Sequence, residues 1–121
     1  MCQRVTGNAE PGAATFMKRE SVMRMMLKVQ IDTAAGSDAI RSGRLPEVMQ
    51  RTLEQLKPEA AYFGPEDGKR TAFIVFDMAD PSELPVISEP MFREFHARVE
   101  MFPVMTRDDL QRGLSQLGAD H

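Results

Sequence analysis

Tryptophan is missing from this chain, and cysteine and tyrosine occur once each among 121 residues. The lone cysteine, Cys2, has no second thiol to pair with, which excludes an intrachain disulfide and any cysteine-rich metal site. A reducing compartment, the cytoplasm, is therefore the expected location. Only two histidines are present, His96 and His121, so a histidine-based metal centre would have to recruit carboxylates, and no metal or cofactor is expected. No run of about 18 apolar residues is available to cross a bilayer, and residues 1–22 lack the apolar stretch of a signal peptide. Lysine and arginine number 15 against 18 aspartate and glutamate, for a formal charge of -3. With neither sign gathered into a block, neither a nucleic-acid backbone nor a membrane is an expected partner. The G-x-S-x-G, Walker and H-E-x-x-H patterns are absent too, which argues against serine hydrolase, nucleotide and zinc-protease chemistry.

What is present suits a single small domain with one core, at 42% hydrophobic content. Residues 1–22 show neither a helical nor a strand period and are expected to form an extension without fixed structure. Met23 offers an alternative start, and residues 23–121 are expected to form the folded unit. Methionine is abundant, ten in all, with Met17, Met23, Met25 and Met26 close together; core filler and alternative starts account for such residues more readily than an adaptable binding surface does.

From Met25 to Ile31 apolar residues alternate, with Met25, Leu27, Val29 and Ile31 on one face and Met26, Lys28 and Gln30 on the other, the pattern of a strand. A loop over 32–36 and a short turn from Ser37 to Ser42 are expected next. Leu45, Val48, Met49, Thr52, Leu53 and Leu56 then recur at three- and four-residue spacing, a helix that Pro46 can begin and Pro58 must end. Two strands, near 60–64 and 70–78, flank the turn signal Asp67-Gly68 and read as a hairpin. The second of them is apolar on both faces, so cover is expected on both sides. Pro85 and Pro90 predict two helical pieces kinked near Glu89, with Leu84, Ile87, Met91, Phe92 and Phe95 on the buried side. A fourth strand near 97–102 and a terminal helix bearing Leu110, Leu114 and Leu117 complete the pattern, the helix starting at a capping box from Thr106 to Asp109. Right-handed crossovers and the hairpin favour an α+β, ferredoxin-like βαββαβ sheet in the order 4-1-3-2. One face then carries the helices, and the other calls for a second copy.

That order of elements and the bare sheet face resemble the dimeric α+β barrel superfamily, which includes muconolactone isomerase and small antibiotic-biosynthesis-type monooxygenases. More locally, Lys57-Pro-Glu-Ala-Ala-Tyr-Phe63, Gly68-Lys-Arg-Thr-Ala-Phe-Ile-Val-Phe-Asp77, Asp80-Pro-Ser82, Glu89-Pro90 and Pro103-Val-Met105 resemble a bacterial family of unassigned activity within it. The resemblance implies a homodimer closed into an α+β barrel. It also implies a pocket for a small organic molecule, with a cofactor-free isomerase or monooxygenase acting on an aromatic or lactone-like metabolite as the alternative.

Strands one and four are neighbours in the expected order, so Lys28 and Gln30 share a face with Arg98 and Glu100. One reading makes this a pocket in which Glu100 takes a proton while Lys28, Gln30 and Arg98 bind the substrate. Another makes it a cross-strand lysine–glutamate pair that sets dimer register, in a structural or regulatory dimer without a pocket. His96 is a candidate general base because its unperturbed pKa lies near neutrality, or else a favourable charge at a helix C-terminus. Tyr62 can present its hydroxyl to the same pocket or serve an interface.

Overall fold

Alternation at Met25, Leu27 and Val29 produces strand β1, Met23–Gln30, in the computed structural model, which describes residues 22–118. Those three side chains and Ile31 beyond them are at most 6% exposed, whereas Arg24, Met26, Lys28 and Gln30 are half-buried on the other side. Apart from Val22, the expected N-terminal extension lies outside the described residues, as do Cys2, Met17 and His121. The elements that follow are helix α1 (Thr33–Arg41), helix α2 (Arg44–Leu56), strands β2 (Ala60–Glu66) and β3 (Lys69–Met78), helix α3 (Glu83–Phe95), strand β4 (Arg98–Pro103) and helix α4 (Arg107–Gly118).

The four strands form one antiparallel sheet in the order β2-β3-β1-β4, the expected order read from the other edge and compatible with a ferredoxin-like fold. Asp67 and Gly68 join β2 to β3 as a two-residue turn with both φ values positive, 54° and 75°, the geometry whose twist matches paired strands. Helices α2 and α3 lay Val48, Met49, Ile87, Met91 and Phe95 against Leu27, Ile74 and Phe76 to make the core.

Three expectations are corrected. Most of the loop over 32–36 is helix instead, from Thr33, because the Asp32 carboxylate accepts from the Ala35 N–H at 3.0 Å and caps α1 five residues earlier than Ser37 would. Gly36 is tolerated inside that helix for a reason of space. A Cβ there would meet Ile31 Cγ2 at 2.8 Å and Arg70 Nη1 at 2.9 Å. Likewise, α3 is one helix rather than two pieces. Pro85 falls in its first turn, where an N–H has no intrahelical acceptor. Pro90 removes one interior bond, and the flanking Ile87 and Met91, both buried, anchor the helix on either side of it. Finally, Leu84 and Phe92 are not on the buried side: they are 38% and 44% exposed, so the buried stripe of α3 is narrower than the apolar one.

Arg44 at the start of α2 grips Glu94 near the end of α3 through a two-pronged contact, Nε to Oε1 at 2.9 Å and Nη2 to Oε2 at 2.8 Å. That hydrogen bonding holds the Glu94 carboxyl below the usual carboxylate range, against the opposing effect of burial. A carboxyl depressed in the folded state stabilises it above the unfolded pKa, about 4.3, and loses that contribution as pH falls through the folded value. Glu94→Gln is therefore expected to lower the urea midpoint at pH 7, and its gap to the parent protein is expected to narrow steadily as the pH falls below about 4. A gap that stays constant across that range would exclude the ion pair as its origin.

Candidate functional site

On the face of the sheet away from α2 and α3, the strand register sets side chains in rows. Lys28 stands opposite Glu100 on β4 and Phe73 on β3, and Gln30 stands opposite Arg98 and Thr71. All four polar residues singled out from the sequence, Lys28, Gln30, Arg98 and Glu100, line one hollow of about 170 Å³, together with Glu66 and Asp67. Lys28 Nζ lies 2.8 Å from Glu66 Oε2 and 3.6 Å from Glu100 Oε1, while Arg98 Nη2 lies 3.0 Å from Glu100 Oε2. Gln30 donates from Nε2 to the Glu66 carbonyl at 3.0 Å. The Lys28 ammonium is held above its ordinary value, first by the Glu66 hydrogen bond, with desolvation opposing and the charges of Glu66 and Glu100 adding.

Both Glu100 oxygens thus face cations, and Glu66, Lys28, Glu100 and Arg98 form a linear chain of alternating charges. Taking up a ligand proton there would break an ion pair, and the hollow is smaller than the roughly 300–1,000 Å³ of small-molecule sites. Glu66 escaped the sequence reading because it falls beside the turn signal. The signal that could have found it is parity, since Tyr62, Gly64 and Glu66 continue one alternation down β2.

Tyr62 and His96 are not part of this hollow. Tyr62 shares the open face and the row of Phe73, Lys28 and Glu100, but it stands on the far edge strand and is 69% exposed. His96 caps the C-terminus of α3 in the left-handed region, φ 49°, and is exposed. Among the described residues no group of three or more His, Cys, Asp and Glu is placed to hold a metal ion, and no helix is long and apolar enough to cross a membrane.

A second and larger site lies on the helix side, where the β2–β3 hairpin stands away from α1 and α2. This cleft has a volume of about 620 Å³. Its apolar walls are Ile31, Ile40, Leu45, Met49, Phe63 and Ala72. Phe63 is opposite Ala72 and Pro65 is opposite Arg70, so the hairpin contributes the face that continues the core. The cleft opens because the core stops short of the hairpin end: Ile40 is 48% and Phe63 59% exposed. Arg70 borders it and reaches back over α1, donating to the Thr33 carbonyl and to Ser37 Oγ, each at 3.3 Å. The sequence reading missed this cleft, since an apolar residue that lines a gap follows the same period as one that fills it.

Comparison of the chain with protein-family models, with curated proteins and with solved structures gave no match.

Proposed function

We propose that the protein is a homodimeric α+β barrel of the muconolactone-isomerase-like kind, working in the cytoplasm, and that each copy binds a small organic molecule in the cleft beside the β2–β3 hairpin. The observation that carries this reading is the cleft itself, a hollow of about 620 Å³ with mostly apolar walls. Its size falls in the range of small-molecule sites, and such sites pair apolar walls with a few polar groups that fix orientation. No carboxylate, imidazole or thiol is among its lining residues, so the reading is one of binding. The Glu66–Lys28–Glu100–Arg98 chain then serves the second interest of the fold, the register of two sheets brought face to face.

The test is a methyl NMR titration with 1-naphthoate and with its neutral counterpart 1-naphthalenemethanol. Saturable shifts are expected at Ile31, Ile40, Leu45 and Met49, and Phe63→Ala is expected to weaken binding about tenfold, as loss of one aromatic wall does. Because Phe63 is exposed, that substitution should leave the unfolding midpoint almost unchanged. Absence of saturation by either compound at millimolar concentration would defeat the reading.

A further inference from the structure

We infer that the cleft selects an apolar molecule bearing an anionic group, such as a carboxylate, and that Arg70 receives that group; this rests on the cleft being the binding site. Three observations converge on Arg70. It is one of the residues lining the cleft, and no Asp or Glu is among the others. It is also one of the few basic side chains among the described residues with no carboxylate within 4.0 Å, whereas Lys28, Arg44 and Arg98 are all paired. Lastly, it is seated. Thr33 and Ser37 accept from its Nη1 and Nη2, and Gly36 provides the space in which the guanidinium lies against α1.

Each of those features has a chemical consequence. A guanidinium carries five N–H donors in a rigid fork, and two accepting partners from α1 leave donors available to a ligand. A fixed fork loses less freedom on meeting a carboxylate than a swinging one. The cleft's apolar walls exclude water from one side of the contact, which strengthens a charge-assisted bond. Lys69, next in sequence, also borders the cleft and is without a carboxylate partner among the described residues, but strand alternation starts its side chain from the opposite face of β3, with Thr71 and Phe73. It therefore serves as an internal control, a cation at the cleft without the seat on α1 that Arg70 has. A neutral apolar ligand would satisfy the walls equally well but would leave Arg70 unused.

The test compares affinities of the full chain for 1-naphthoate and 1-naphthalenemethanol. The parent protein is expected to prefer the acid by about tenfold or more, the ratio ordinary for one charge-assisted bond. Arg70→Gln should remove most of that preference while leaving the alcohol's affinity within about twofold, Arg70→Lys should keep part of it, Lys69→Gln should keep the larger part, and Lys57→Gln, away from the cleft, should keep nearly all. Thermal midpoints of the variants show that each is folded. Equal affinity for acid and alcohol in the parent protein would overturn the inference and leave the binding site standing. A preference for acid that survives Arg70→Gln largely intact would overturn the role of Arg70, and failure of both probes would remove the binding reading itself.

Discussion

Phe95→Ala is expected to destabilise the protein by about 3–5 kcal/mol, the loss typical of emptying a fully buried aromatic site. Phe95 has no exposed surface and closes the buried stripe of α3 after Ile87 and Met91. Its carbonyl also accepts from the Asp32 N–H, so its backbone stands where α3 meets the start of α1 and the loss cannot relax by simple collapse. For a domain of about 100 residues each kcal/mol lowers the midpoint by at least about 4 °C, which puts the thermal midpoint at least about 12 °C below the parent. Against a total stability of about 5–15 kcal/mol, the variant stands near the edge of folding. Phe92→Ala, three residues earlier on the same helix, should cost less than about 1 kcal/mol because that ring is 44% exposed. Thermal melts of the two variants side by side decide the matter, and equal losses would mean that the apolar stripe of α3 is buried across its whole width.

That contrast also marks how far the sequence could be read. Period and turn chemistry were enough for the four strands, their order and the long helix α2, because Leu27, Val29, Ile74 and Phe76 alternate without exception and Asp67-Gly68 admits few other backbones. Local capping was harder. Asp32 and Ser37 are both good helix starters, and the choice between them depended on whether Gly36 could stay in a helix, which in turn depended on Arg70 packing over it from a strand 34 residues away. The prolines misled for a related reason: a proline in the first turn removes nothing, and a second can be carried when its neighbours are well anchored.

The polar cluster was legible as far as strand parity reached. Lys28, Gln30, Arg98 and Glu100 come together because neighbouring strands place opposite residues on one face, and that follows from the order 4-1-3-2 alone. What parity could not convey was satisfaction. Glu66 enters from the hairpin and takes the closest contact with Lys28, turning a supposed acid–base set into a chain of ion pairs. The cleft beside Arg70 was out of reach for a different reason, since it is a shortage of side chains between two elements rather than a pattern within one.

Val75→Lys is expected to abolish the proposed dimer while leaving a folded monomer. Val75 lies in the middle of the open face, in a row with Ala60, Met26 and Phe102, and next to the row of Tyr62 and Phe73. In a monomer the new ammonium would extend into water from a half-buried position at small cost. Between two sheets it would be buried without a partner, a penalty of several kcal/mol that raises the dissociation constant at least about a hundredfold. The sheet alone does not suffice for a strong interface. Four strands about 4.8 Å apart, at the eight-residue length of β1, span roughly 500 Å² in plan, short of the roughly 800 Å² that each partner commonly buries. The missing area is available on α4, which buries none of its own residues and presents Leu110, Leu114 and Leu117, each about half exposed, at helical spacing on one stripe. Asp109 at its first turn faces Arg24 of β1 at 3.6 Å, so the helix leaves from the open side of the sheet. Leu114→Glu should consequently weaken the dimer as well, though less than Val75→Lys, since a glutamate near the rim stays partly wet. Analytical ultracentrifugation of the three proteins at micromolar concentration reads the outcome, and a parent chain that sediments as a monomer there would remove the second copy from the proposal.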